Sequence, residues 1–226
     1  MVNENGQNDD WSFDKWAETY DASIASDPGL FGRYEEVLDA VVKAARLGPG
    51  TKVLDIGVGT GNLALRCVAL GARVVGLDPS QGMLAKAREK VEPTMSLQLI
   101  RADQPFLSIP FPDETFDAVV SSYAFHHVSR DKKEAGLCEM VRVLKPGGVV
   151  AIGDLIFENE EAERSAVEKY EWLDDEPFSR LDELSGWFER LGVSMECRQY
   201  TPVTWVVHAA RPHRVETEQP ADTGEV

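Results

Sequence analysis

Residues 53–61 read Val-Leu-Asp-Ile-Gly-Val-Gly-Thr-Gly, and no other stretch constrains the fold as much. Lys52–Ile56 is short, apolar and rich in β-branched residues, the pattern of a parallel strand buried on both faces. Gly57, Gly59 and Gly61 then let the backbone turn sharply and approach a ligand with no Cβ in the way. Asn62–Leu70 carries Leu63, Ala64, Cys67 and Val68 at helical spacing, so the loop empties into a helix N-terminus whose N–H groups can hold a polar ligand end. A turn of this kind also serves as a plain strand-to-helix connection. The loop alone leaves ligand binding open.

The glycine spacing separates two kinds of ligand. The dinucleotide fingerprint G-x-G-x-x-G puts its third glycine where this chain has Asn62; here the third glycine comes one residue early, at Gly61. That argues against a nicotinamide oxidoreductase. An acid, Asp55, leads the loop, and it suits a ligand bearing an ammonium group better than a pyrophosphate. A second apolar run, Arg73–Leu77, ends in Asp78, whose carboxylate can accept two hydroxyl hydrogen bonds in a fork. Ser80 is the expected N-cap of the helix that begins at Gln81. A third strand, Leu97–Arg101, ends at Ala102-Asp103. Further on come Ile109-Pro110-Phe111-Pro112-Asp113-Glu114-Thr115-Phe116-Asp117, then Ser121-Ser122-Tyr123-Ala124-Phe125-His126-His127-Val128, then the turn Lys145-Pro146-Gly147-Gly148.

In this order over residues 50–156, these motifs resemble the class I S-adenosylmethionine-dependent methyltransferases. Upstream, Trp16-Ala17-Glu18-Thr19-Tyr20-Asp21 resembles an N-terminal element of small-molecule members. Phe31–Leu38 together with the glycine loop is similar to a bacterial group of uncharacterised methyltransferases, the YrrT type. The resemblance implies S-adenosyl-L-methionine as cofactor and S-adenosyl-L-homocysteine as product. It implies a Rossmann-like, doubly wound α/β sheet of seven strands in the order 3-2-1-4-5-7-6, in three αβα layers. It also implies cofactor contacts from Asp55, Gly57, Gly59, Gly61 and Ser121, with Asp78 on the ribose. Met83 would pack on the adenine, Ala102 and Asp103 would read its edge, and Tyr20 would lie near the methionine end. From its residue type alone, Met83 is equally a core side chain.

A single domain is expected over 1–215: an N-terminal helical cap (1–48), a cofactor core (50–156) and an acceptor side (157–210) with two helices and a final strand pair. The acidic stretch 216–226 reads as a disordered tail. The expected helices are Trp11–Ser26, Tyr34–Arg46, Arg130–Leu144, Glu160–Trp172 and Arg180–Leu191, and the late strands Val149–Leu155, Val193–Arg198 and Val203–Ala209. With polar Met1–Asp10 in place of a signal peptide and no long apolar run, a cytoplasmic protein is the default.

Net charge is −16, and residues 154–196 hold fourteen acids against four bases. A polyanion would be repelled from that half, so nucleic acid is disfavoured and a small-molecule acceptor favoured. Cys67, Cys138 and Cys197 show no metal-ligand spacing; no metal is expected, and buried thiols are. Candidates for a general base at the mouth are Tyr123, His126, His127 and Asp154, though helix capping or packing explains one of the histidines as well. Trp172, Phe178, Trp187 and Phe188 could close over an apolar acceptor or simply pack a helix face. A cofactor-binding sensor without transfer activity stays open as a second reading, and so does the oligomeric state.

Overall fold

The computed structural model describes residues 10–26, 31–90, 96–170, 173 and 176–213. The acidic tail and Trp172 lie outside the described residues. The helices are α1 (Asp10–Trp16), α2 (Tyr20–Ser26), α3 (Tyr34–Ala44), α4 (Asn62–Ala69), α5 (Gln81–Lys90), α6 (Lys133–Arg142), α7 (Glu160–Lys169) and α8 (Leu181–Arg190). The strands are β1 (Lys52–Ile56), β2 (Arg73–Asp78), β3 (Leu97–Arg101), β4 (Phe116–Ser122), β5 (Leu144–Phe157), β6 (Ser179–Arg180), β7 (Met195–Thr201) and β8 (Thr204–Ala210).

The sheet runs β3-β2-β1-β4-β5-β8-β7. Strands β3 to β5 pair in parallel, while β8 runs antiparallel to both β5 and β7. This is the expected order with one addition: the two-residue β6 pairs with Ile156 and Phe157 at the far end of β5. Strand order reverses between β1 and β4. In doubly wound sheets the crevice for a ligand opens outside the strand ends at that switch.

Alternation along the strands feeds two cores. Ala118 and Val120 of β4 join one cluster with Val37, Leu38 and Val41 of α3. Phe116 and Val119 join the other with Leu137 and Met140 of α6 and Leu184 and Phe188 of α8. Phe188 is fully buried and Trp187 packs against the same cluster, so helix packing accounts for both. Helix α3 closes on β5 at Gly153, where an added Cβ would come within 2.7 Å of Val37 and 2.8 Å of Val41.

Several boundaries differ from expectation. The N-terminal helix is broken at residues 17–19, where α2 turns away from α1. Residues 130–132 form a 3₁₀ turn before α6, and α6 stops at Arg142 because Leu144 already pairs with Phe116. The Lys-Pro-Gly-Gly turn becomes an irregularity within β5, with pairing resumed at Ala118 and Val149. The thiol expectation holds for Cys67, but Cys138 and Cys197 are exposed. Cys138 falls on the outer side of α6, and Cys197 lies on an edge strand with one face to solvent. No helix among the described residues is long and apolar enough to cross a membrane.

Candidate active site

The glycine loop leaves β1 in the left-handed region at all three glycines: φ is +71° at Gly57, +52° at Gly59 and +87° at Gly61. L side chains seldom adopt such values. At Gly57 space forbids a side chain as well, because a Cβ would lie 2.3 Å from that of Ala124. The loop therefore presses against the segment that leaves β4, and Ala124 stands two residues before His126.

Asp78 closes β2 beneath this loop. Its Oδ2 accepts the Gly59 N–H at 2.8 Å and its Oδ1 the Ser80 N–H at 2.9 Å, so the carboxylate is held in one orientation by backbone donors. Ser80 caps α5 as expected, its Oγ accepting the Met83 N–H at 3.1 Å. Met83 is buried. Ala102 is half-buried, its N–H donating to the Asp78 carbonyl at 3.1 Å. Asp103 is exposed and lies 3.4 Å from Arg101. Ser121 is buried, with its hydroxyl donating to the Ile56 carbonyl at 2.8 Å; it ties the ends of β4 and β1 together.

Asp55 is buried, and no donor among the described residues reaches either carboxylate oxygen in full hydrogen-bond geometry. Burial, and then the charge of Asp78, push its carboxyl up to about 8; the Ala64 backbone N–H pulls weakly the other way. A buried carboxyl without a full hydrogen bond beside a left-handed glycine loop is a costly arrangement for packing alone.

The N-terminal helices lie over this region. Asp14 of α1 accepts from the Ser80 hydroxyl and from the Gly82 N–H at 2.7 Å, and these bonds hold its carboxyl below the usual range. Asp21 of α2 accepts from Thr60 Oγ1 at 2.7 Å and Asn62 Nδ2 at 3.1 Å, and it pairs with Lys90 at 2.6 Å. Thus α1 clamps the start of α5 and α2 clamps the glycine loop. Nothing in the sequence flagged Asp14 for this work, since its partners lie far along the chain.

Beyond Ala124, residues 125–127 form a 3₁₀ turn that carries the two histidines. Tyr123, just before it, is a non-glycine residue at φ +49°, a conformation that marks strain. Its ring stacks on Tyr34 at 5.3 Å and meets Phe31 edge-on at 5.4 Å, while burial raises its phenol well above the ordinary value. His126 is buried. Its Nδ1 lies 2.5 Å from Asp154 Oδ1, and its backbone N–H donates to Asp154 Oδ2 at 2.9 Å. Burial opposes ionisation of Asp154, but His126, the Leu155 N–H and Lys133 outweigh it and keep the carboxyl below its ordinary range.

Lys133 is fully buried, donating to the Phe125 carbonyl at 2.8 Å and reaching that of His126 at 3.4 Å. Desolvation brings its ammonium down to about 8. His127 pairs with Glu176 at 3.4 Å; burial and then His126 lower its pKa, with Glu176 opposing. Trp16, Tyr20, Phe31, Tyr123, Leu155 and Phe178 enclose a cavity of about 140 Å³ with both histidines and Glu176. The structure thus brings Tyr20, Tyr123, His126 and His127 to one cavity, with Asp154 behind them. Nothing in the sequence marks Glu176, which lies in an acidic segment without a motif.

The fold, the glycine loop and Asp78 define a class I S-adenosylmethionine-dependent methyltransferase. A family model described as a methyltransferase domain matches residues 53–148. The chain is 34% identical over 212 residues to an uncharacterized methyltransferase of Geobacillus kaustophilus, covering 88% of this chain and 95% of the relative. It is 31% identical over 215 residues to the uncharacterized methyltransferase YrrT of Bacillus subtilis, covering 88% and 96%. In fold it is similar to a putative methyltransferase solved in complex with the Haloferax volcanii Trm112 activator: TM-score 0.71, 21% identity, 89% of this chain and 98% of that one. The chain belongs to this methyltransferase family.

Proposed function

We propose that the protein transfers a methyl group to a small-molecule acceptor held in the aromatic cavity beside His126. The observation that carries this reading is His126, fixed by Asp154, lining a cavity of about 140 Å³ two residues from the contact between Ala124 and the glycine loop.

The cofactor's fit rests on two features of the loop. Asp55 has no full hydrogen bond at either carboxylate oxygen among the described residues, and Gly57 presents bare backbone where a side chain cannot go. S-adenosylmethionine supplies, when bound, a methyl group already activated by its sulfonium. Asp78, oriented by the Gly59 and Ser80 amides, would accept the ribose hydroxyls. Met83, Ala102 and Asp103 would hold the adenine, Tyr20 the methionine end, and Asp55 with Gly57, Gly59 and Gly61 the amino-acid end. Ser121 contributes by fixing the strand ends.

Chemistry of this kind needs a positioned acceptor and a dry site more than it needs acid–base help. Trp16, Tyr20, Phe31 and Phe178 give the cavity an apolar wall. Asp154 accepts from Nδ1–H of His126, which leaves Nε2 as the lone pair able to take a proton from an acceptor hydroxyl or ammonium. Tyr123 and His127 shape the same wall. A small acceptor also accords with the net charge of −16, which repels nucleic acid.

The test is methyl transfer from labelled S-adenosylmethionine to a broad panel of small metabolites. Labelled product from one chemical class supports the reading. Transfer only to RNA or protein overturns it.

A further inference from the structure

Glu176 precedes β6 and reaches back to the histidine turn, so three side chains with metal-binding atoms meet in one wall. One such atom from each of His126, His127 and Glu176 lies within 4.8 Å of the others. The His126 and His127 rings are 3.9 Å apart between centroids. Asp154 engages Nδ1 of His126 and so leaves Nε2 available, the carboxylate–imidazole arrangement that stands behind metal-bound histidines. Lys133 turns its ammonium to the Phe125 and His126 carbonyls, which pins the turn from below. Cysteine spacing alone gave no sign of a metal, and Glu176 is remote in the chain from the histidine pair.

We propose that His126, His127 and Glu176 form a binding site for a divalent first-row transition ion, with zinc the best match to two imidazoles and a carboxylate. This donor set is one of those that hold zinc with a fourth position open. Metal–ligand bonds of about 2.1 Å put neighbouring ligand atoms roughly 3.4 Å apart. The His127–Glu176 pair already stands at 3.4 Å, and the ligand atoms of all three residues lie within 4.8 Å of one another. All three residues line the cavity of about 140 Å³, which would leave room for a fourth ligand. A hydroxyl or thiol acceptor coordinated there would release its proton to solvent, and His126 would then act as a ligand in place of a base. Metal binding itself does not depend on the acceptor or on the cofactor.

The experiment uses the full chain, stripped with chelator and titrated with cobalt chloride, then with zinc chloride. One equivalent of Co²⁺ should give the intense visible bands of a low-coordinate site, and one equivalent of Zn²⁺ should abolish them. Glu176→Gln and His127→Ala should each weaken Zn²⁺ binding at least tenfold with unchanged circular dichroism, while His208→Ala on β8 leaves it unaltered. Asp154→Asn should weaken it about 10–100-fold; if that variant fails to fold, Glu176→Gln decides. Absence of stoichiometric binding, or binding undiminished in both Glu176→Gln and His127→Ala, overturns the site. Calorimetry with S-adenosylhomocysteine on the same samples reports separately on the cofactor reading.

Discussion

Asp154 grips His126 at two points, with Oδ1 2.5 Å from the ring Nδ1 and Oδ2 accepting the backbone N–H at 2.9 Å. The pair comes from different parts of the sheet: His126 follows β4 and Asp154 lies within β5. Parallel pairing of Ser122 with Gly153 brings them level. The consequence is a single ring orientation and a single tautomer. Nitrogen NMR of the neutral imidazole should show Nδ1 protonated in the wild type. Asp154→Asn should give a mixture of tautomers and lower methyl transfer by about 10–100-fold, the usual worth of an orienting partner behind a histidine. An unchanged tautomer would contradict the pairing.

Asp154 and Asp55 should respond to pH in opposite senses. Asp154 has a lowered carboxyl, so its contribution to stability is present above the unfolded value near 4 and is lost as pH falls through the folded value. Asp55 has a raised one. Between about 4 and about 8 the folded chain keeps a proton that the unfolded chain has lost, so stability falls as pH rises through that window and is flat above it. Asp55→Asn should flatten this slope and raise the melting temperature of the ligand-free protein at pH 8, with little change at pH 4. Thermal melts across that range check it.

The same carboxyl should couple the cofactor to protons. A ligand ammonium beside Asp55 favours its ionised form. S-adenosylhomocysteine affinity should therefore rise between pH 5.5 and 7.0, below the range in which an α-amino group itself titrates, about 7.7–8.0. In Asp55→Asn that rise should vanish. Calorimetry at the two pH values, compared between the proteins, decides.

Gly57 and Gly59 should tolerate alanine differently, although both have positive φ. At Gly57 the new Cβ meets Ala124 at 2.3 Å; at Gly59 the nearest atom is the Gly57 carbonyl oxygen at 4.0 Å. Gly59→Ala should cost about 1 kcal/mol from backbone strain. Gly57→Ala should cost several-fold more and push the histidine turn outward. Chemical denaturation of both variants measures the difference.

The sequence announced the parallel core and its loop because local patterns carry them: apolar strands, left-handed glycines, and Ser80 at a helix start. The strand arrangement came from the resemblance to the methyltransferase family, not from the local patterns themselves. The clamp by Asp14 and Asp21 was illegible, since neither residue shares a local pattern with Ser80, Thr60 or Asn62. Glu176 was hidden for the same reason, in a stretch where acids are common and most face water. The break between α1 and α2 left no glycine or proline as a sign. It serves packing, with Ala17 buried and Trp16 edge-on to Tyr20 at 4.9 Å.

The clamp gives a prediction of its own. Asp14→Ala removes acceptors for Ser80 and Gly82, a loss of about 1 kcal/mol by analogy with helix caps. It should free α1 while the sheet keeps its stability. Hydrogen exchange should quicken over residues 10–26 and hold steady in β1 and β4.

The glycine loop and Asp78 should together hold S-adenosylmethionine. Calorimetric titration of S-adenosylhomocysteine into the wild type and Asp78→Asn reads this out. One equivalent should bind the wild type, and roughly tenfold or weaker binding should follow in the variant, the cost of charge-assisted hydrogen bonds. The absence of binding to folded wild type, or equal affinity in both proteins, would contradict it.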